Sequence, residues 1–329
     1  MSINKPKEIE ILLLSFGPVP SRRLGRSLGI NNIPPKACTY ACLYCQVGRT
    51  TEMHGVRRPF YKPEEIFSAV NSRAKKAKLS NKVIDYITFV PDGEPTLDIN
   101  LGHEIDLLKS LGIKIAIITN ASLIWRKDVR EDLKKADWVS IKLDACQEKI
   151  WRKINRPHGI LKLQSILDGM LSFSAEYSGE FVTETMLLNG VNDGPEAVKE
   201  IAGFLGLLKP SRAYLSIPTR PPAESWITIP DEQTLNSAYQ MISRNVPAVE
   251  LLIDYEGNEF TFTGNIEKDL LSITSVHPMR EEAVKEFLAN ADSNWEVIHN
   301  LIAQDQIVRA EYNNEIFYMR RLDNKKQRD

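Results

Sequence analysis

The sequence predicts an α/β protein: a partial (β/α)6 barrel of the TIM type, followed by a small C-terminal α+β module of winged-helix character. Three observations predict it. Short β-branched runs alternate with amphipathic stretches through the first two-thirds of the chain. A polar residue follows each of the six runs. After Arg220 the alternation gives way to two helical patterns and a hairpin signal. Strand–helix alternation at this spacing calls for a parallel sheet, and in parallel barrels the reactive groups gather at the C-terminal ends of the strands.

The six predicted strands are 27–33, 86–90, 114–118, 138–143, 181–187 and 213–217. The helical patterns between them span 63–78, 102–111, 125–135, 160–173 and 195–208. Cys38, Glu94, Asn120, Asp144, Asn189 and Arg220 follow the six strands in turn, a register that favours a site over a solvated surface. Beyond them, 250–255 and 259–263 flank Glu256-Gly257-Asn258, the turn chemistry of a hairpin. Helices are expected at 280–290 and 293–304, then a strand pair at 307–312 and 315–320 around Asn313-Asn314. The expected units are therefore a barrel with its N-terminal extension and hairpin over 1–264, the module over 265–322, and a frayed tail over 323–329.

Composition excludes several classes. Of 329 residues, 43% are apolar and 26% charged, as in an ordinary globular protein. Lysine and arginine number 42 against 43 aspartates and glutamates, so no global field recruits nucleic acid or membrane. The N-terminus lacks the apolar core and cleavage site of a signal peptide, and the run 11–14 is far too short to span a bilayer. A cytoplasmic protein is expected. Four cysteines, three of them clustered, point to a reducing compartment and a metal site rather than a disulfide framework.

Those three, Cys38, Cys42 and Cys45, follow the spacing C-x3-C-x2-C. Soft thiolates on one short loop suit three corners of a cubane iron–sulfur cluster, leaving the fourth iron open to a small ligand. Two alternatives stand beside this. Zinc could take the triplet with His54 as a Cys3His set. A disulfide with the distant Cys146 suits a triplet poorly.

The triplet, with Tyr44 just before its last cysteine, resembles the signature of the radical S-adenosylmethionine (SAM) superfamily. The resemblance implies a [4Fe-4S] cluster on Cys38, Cys42 and Cys45 and SAM chelated by the open iron. It further implies reductive cleavage of SAM to methionine and a 5′-deoxyadenosyl radical that removes hydrogen from a substrate, the cofactor doing the hard chemistry while the protein aims it. Gly93-Glu94-Pro95-Thr96 resembles the superfamily's glutamate motif, which places Gly93 and Glu94 at the SAM amino group. Thr119-Asn120-Ala121 and 140–144 resemble strand ends that contact SAM, with Asn120, Ser140 and Asp144 as the favoured contacts. Residues 16–25, 92–97, 154–158, 190–193 and 219–224 are similar to a branch containing the archaeal wyosine-base (tRNA) synthases. Those enzymes carry further cysteines upstream for a second cluster, and here none precedes Cys38. A single-cluster enzyme with an unidentified small-molecule, peptide or RNA substrate is expected, fed by ferredoxin or flavodoxin as low-potential donor.

Other residues carry weaker signals. Lys142 alternates to the same strand face as Ser140 and Asp144, which suits either a substrate contact or a packed ion pair. Arg220, beside Pro221-Pro222, is a second substrate-contact candidate. Arg22, Arg23 and Arg26 suit a phosphate or carboxylate, or a solvated face. Cys146 reads as a small buried residue, and His54, His158 and His277 as structural once a cluster is accepted. The stretch around 281–300 is acidic, with Glu281, Glu282, Glu286, Asp292 and Glu296 against Lys285, so DNA binding is not expected. Two rivals from other classes are an iron–sulfur redox sensor and a zinc-binding winged-helix recognition protein; within enzymes, tRNA base modification is the rival.

Overall fold

The structure is a computed structural model that describes residues 14–50, 52–253, 260, 262, 264–276 and 278–321. Its centre is an eight-stranded sheet. Strand β1 (Ser15–Ser21) pairs antiparallel with β2 (Gly25–Ile30), and the sheet continues in parallel through β5 (Tyr86–Phe89), β6 (Lys114–Thr119), β7 (Trp138–Lys142), β8 (Glu180–Met186), β9 (Arg212–Ser216) and β10 (Val249–Leu252). Two short strands, β3 (Ala37–Cys38) and β4 (Glu52–Met53), form a separate parallel pair beyond β2.

Helices α1 (Pro63–Leu79), α2 (Leu101–Lys109), α3 (Lys127–Leu133), α4 (Glu148–Asn155), α5 (Leu163–Glu176), α6 (Pro195–Leu208) and α7 (Glu232–Ser243) connect the parallel strands, α4 and α5 both lying between β7 and β8. Pro63 at the start of α1 and Pro195 at the start of α6 sit where a helix has no use for the missing N–H. Asp231 caps α7 by accepting from the Thr234 amide at 2.7 Å.

Period-two alternation divides the sheet into two faces. Ile115, Ile117, Val139, Ile141, Phe181, Ala213 and Leu215 join the large core under the helices. The opposite face carries Leu24, Ala116, Trp138, Val182, Tyr214 and Leu252, a compact apolar plug. Arg23, before β2, reaches the Glu184 carboxylate on β8. Four strand intervals separate β2 from β8 in the sheet, roughly 19 Å if flat, so the sheet must curl to close that gap. Among the described residues it is a partial barrel with β1 and β10 as its edges.

The predicted α/β class and all six strands are present, with a seventh parallel strand in addition. Residues 249–252, expected as the start of a hairpin arm, pair in parallel with β9 instead; the rest of that hairpin falls largely outside the described residues, as do the tail 323–329 and the run 11–13. The turn signal at 256–258 is local and carries no information about which neighbour the preceding strand meets. Helices α4 and α7 were also unforeseen, and β1 turns the extension into a sheet edge.

Residues 266–320 supply α8 (Ile266–Val276), β11 (Met279–Arg280), α9 (Glu281–Asn290), α10 (Glu296–Ala303), β12 (Ile307–Tyr312) and β13 (Glu315–Arg320), with strand order β11-β13-β12. The β12–β13 hairpin matches its expected limits, and Asn313 and Asn314 both take positive φ, as its tight turn requires. Phe287, Ile298, Leu301, Met279 and Tyr318 build a second core that also takes in Phe16 and Val19 of β1. Among the described residues no helix is long and apolar enough to cross a membrane.

Candidate functional site

The cysteine loop runs from β3 across the C-terminal ends of the parallel strands. Two tight backbone bonds shape it, Cys45 N–H to the Cys42 carbonyl at 3.2 Å and Gly48 N–H to the Cys45 carbonyl at 3.0 Å. The last turn of α4 and the residues after it hold it in place. Ala41 and Leu43 donate to the carbonyls of Asn155 and Ile154 at 3.0 and 2.9 Å, and His158 donates to Thr39 at 2.9 Å. Arg156 takes a left-handed conformation to make this return. Glu224 adds a third support: its amide donates to the Leu43 carbonyl, and its carboxylate binds Arg156 at 2.5 Å and Arg49 at 3.1 Å.

All three cysteines are half-buried and free of disulfides, as is Cys146. Burial and the Glu94 charge push the Cys38 thiol up to about 12. Burial, Asp144 and the neighbouring cysteines push Cys42 well above its ordinary value. The Cys38 and Cys42 thiols thus resist ionising, and a bound cation reverses that balance. Side-chain amides already point at two sulfurs: Asn155 Nδ2 lies 3.4 Å from Cys42 Sγ, and Asn120 Nδ2 3.6 Å from Cys38 Sγ. Among the described residues no three His, Cys, Asp or Glu side chains converge on one ion. A cubane takes one cysteine per iron, so its thiolates need not converge. His54 engages the Arg58 guanidinium through Nε2 at 3.1 Å, away from any Cys3His set.

Gly93 packs under the cysteine strand. A Cβ there would stand 1.9 Å from the Ala37 carbonyl oxygen, so only glycine permits the approach. Glu94 follows, fully buried. Its Oε1 accepts from Thr96 N–H, Thr96 Oγ1 and Thr119 Oγ1 at 3.0, 2.5 and 2.6 Å, and its Oε2 accepts from the Asn120 amide at 2.8 Å. Burial raises its pKa while these donors oppose the rise. Asn120 also donates to Thr39 Oγ1 at 2.8 Å. The glutamate motif and the third strand end are thus one hydrogen-bonded unit beside Cys38.

Asp144 anchors the other side. Its Oδ2 accepts from Tyr44 Oη and, at 2.9 Å, from Asn155 Nδ2, and its Oδ1 accepts from the Met186 amide at 3.0 Å. Asn192 fastens the same corner, donating to the Asp144 and Met186 carbonyls at 2.8 Å each. Tyr44 is therefore tied to strand β7 rather than left projecting from its loop.

Above the apolar plug the concave face turns polar. Lys142 Nζ donates to Glu184 at 2.6 Å and lies 5.2 Å from the Tyr44 ring centroid. Burial alone would raise the Glu184 carboxyl, but Lys142 and Arg23 hold it down at about 2. Ser140 shares this face, fully buried, with no hydrogen-bond partner for its hydroxyl. A buried hydroxyl left unmatched is a point where a ligand gains a contact.

Two expected residues sit elsewhere: Asn189 bonds Thr228 on the surface, and Arg26 is exposed at the base of β2. Arg220 donates to Gln46 Oε1 at 2.8 Å, beside Cys45, and braces the loop. Of the basic residues near the N-terminus, Arg23 is the one the structure carries to Glu184. Sequence reasoning assigned no role to Asn155, Glu184, Asn192 or Thr39. The quoted segments 154–158 and 190–193 contain two of them, but their partners lie far along the chain.

The comparisons with known proteins agree with this geometry. The model of the radical SAM superfamily matches residues 32–205. The UPF0026 protein MJ1312 of Methanocaldococcus jannaschii is 49% identical over 315 residues, 94% of this chain and 97% of that protein. A UPF0026 protein of Helicobacter pylori strain J99 is 35% identical over 64% of this chain and 68% of its own length. The chain belongs to the radical SAM superfamily. It is an enzyme of that class and a relative of the UPF0026 proteins. A solved structure of TYW1 with a lysine–pyruvate adduct bound shares the fold, with a TM-score of 0.53 and 17% identity over 67% of this chain and 74% of that one.

Proposed function

We propose that the chain cleaves SAM reductively at a single [4Fe-4S] cluster held by Cys38, Cys42 and Cys45, and uses the radical so formed to remove hydrogen from a substrate. One observation carries the reading: three free cysteines on one loop, pinned across the strand ends by 154–158 and packed against the Gly93-Glu94 turn. The cluster would supply the electron that breaks the sulfonium of SAM. Ser140, with its unmatched hydroxyl, and Asn120 are the proposed SAM contacts, together with the outer lone pair of Glu94 Oε2 for the amino group. Asp144 and Tyr44 hold the loop's inner wall. Lys142, with Glu184 and Arg23, sets the charge of the cavity a substrate would enter, and the apolar plug keeps water from its floor.

The donor is a low-potential carrier of the ferredoxin or flavodoxin type, and the setting a reducing cytoplasm. We assign 14–264 to the barrel and the segment after it to a winged-helix-like module that closes one side. The single triplet argues for chemistry other than that of a two-cluster tRNA enzyme.

The test is anaerobic reconstitution with iron and sulfide, then dithionite and SAM, with 5′-deoxyadenosine read by mass spectrometry. The expected outcome is deoxyadenosine that disappears in Cys42→Ala while the circular dichroism spectrum is unchanged. A bound cluster without deoxyadenosine, even with cell extract supplying substrates, would favour a redox sensor. Zinc in place of iron would favour a recognition protein.

A further inference from the structure

A second cavity, of about 340 Å³, lies between the outer turn of the cysteine loop and the C-terminal module. Lys36, Gly48 and Arg49 line one wall, and Ser275, Arg320 and Arg321 the other. Its volume is that of a small-molecule site. The charged residues of its lining are all cations: Lys36, Arg49, Arg320 and Arg321. The carboxylates near it are Asp92, in the field of Lys36 and Arg320, Glu224, paired with Arg49 at 3.1 Å, and Asp305, paired with Arg321 Nε at 3.0 Å.

Lys36 is the informative residue. Its side chain is 5% exposed, its Nζ makes no hydrogen bond, and that atom lies 3.6 Å from where a Cβ on Gly48 would stand. Its backbone is held left-handed, at φ 67°. A buried ammonium without an acceptor is costly, and a left-handed lysine adds strain. Cys45, Asp92 and Cys38 share its field, yet both carboxylate oxygens of Asp92 are likewise buried without a hydrogen bond. The ammonium is thus held beside a cavity with its three donors unused.

We propose that this cavity binds a small molecule through a carboxylate or phosphate group, seated on Lys36 and flanked by Arg49 and Arg321. The ligand bridges the cysteine loop and the module, on the side of the loop away from the concave face of the barrel, and its binding is tested apart from SAM cleavage although Lys36 also borders Cys45 and Cys38.

The test is calorimetric titration of the cluster-reconstituted protein with inorganic phosphate, pyrophosphate and succinate, each with and without saturating SAM. Hydrogen exchange locates the ligand. The expected result is saturable binding of at least one probe that SAM does not displace, with new protection confined to 46–49 and 319–321. Tighter pyrophosphate identifies a phosphate ligand, and tighter succinate a carboxylate. Lys36→Asn keeps a residue at ease in the left-handed region and should weaken binding about tenfold, as loss of one charge-assisted bond predicts. Arg321→Gln changes a half-exposed side chain that the fold does not need, and should weaken binding several-fold. Absence of saturable binding, displacement by SAM, protection elsewhere, or unchanged affinity in both variants would overturn the proposal. Failure of deoxyadenosine formation would not, because the as-purified protein reports the same titration.

Discussion

Glu184 shows how much one side chain decides. It lies on the concave face with Lys142 and Arg23 on its two oxygens, and its carboxyl is held at about 2, below the ordinary 4.5. A depressed carboxyl contributes stability that is complete above the unfolded value and lost as pH falls through the folded one. Thermal melts of the wild type should therefore lose stability between pH 4.5 and about 2, and the part owed to this group should be on the order of 3 kcal/mol. Glu184→Gln should flatten that acid limb. At neutral pH it should cost up to about 3–5 kcal/mol, because two partly buried cations lose their counter-charge; an unchanged acid limb would show that the pair contributes nothing. Gly93 is decisive for a different reason. Gly93→Ala drives a methyl into the Ala37 carbonyl at 1.9 Å, next to Cys38. The expected outcome is a loss of at least about 1–3 kcal/mol in denaturant titration, with less iron retained per chain after reconstitution.

At the scale of elements, the cysteine loop owes its shape to segments distant in sequence. Its own hydrogen bonds make two tight turns, and the amides of Ala41 and Leu43 and the carbonyls of Thr39 and Leu43 are met by 154–158 and by Glu224. Asn155 joins the two roles, donating to Asp144 at 2.9 Å and approaching Cys42 Sγ at 3.4 Å. Hydrogen bonds to cluster sulfurs stabilise the more negative, reduced state and raise the potential. Asn155→Ala should therefore shift the midpoint of the reconstituted cluster to more negative values in an EPR-monitored redox titration, and an unchanged midpoint would remove Asn155 from the cluster's surroundings. The sequence made the 154–158 segment visible as a motif. It did not reveal the purpose, since a loop-to-loop hydrogen bond leaves no periodic trace.

At the scale of the whole molecule, the two cores are joined by β1. Phe16 and Val19 belong to the same cluster as Phe287 and Tyr318, so the first strand of the sheet completes the core of the C-terminal segment. Phe287→Ala should cost about 3–5 kcal/mol by opening a cavity in that core. Hydrogen exchange should then rise in β1 as well as in α9 and α10, and exchange confined to the helices would mean that the cores unfold independently. The module also supplies Ser275, Arg320 and Arg321 to the cavity beside the cysteine loop, which makes its docking relevant to more than stability.

Periodicity and spacing carried much of this protein into view. Six strands, most helices and the final hairpin follow local rules: alternation at two or 3.6 residues, a proline at a helix start, and paired asparagines at a turn. The cysteine triplet and the Gly93-Glu94 turn are also legible, because each of the two motifs is complete within a few residues of its own. The sequence by itself therefore determined the class of fold and the superfamily to which the chain belongs. What only the tertiary structure decided are the pairings across long separations: β10 beside β9, Asn155 on Cys42, Arg23 on Glu184, β1 within the second core. The physical reason is that sheet neighbours and buried ion pairs are chosen by which surfaces meet when the chain collapses, and a side chain bears no mark of a partner more than a hundred residues away. Lys36 is the sharpest case: in the sequence it is one lysine before a cysteine, and in the fold it is a buried charge beside a cavity.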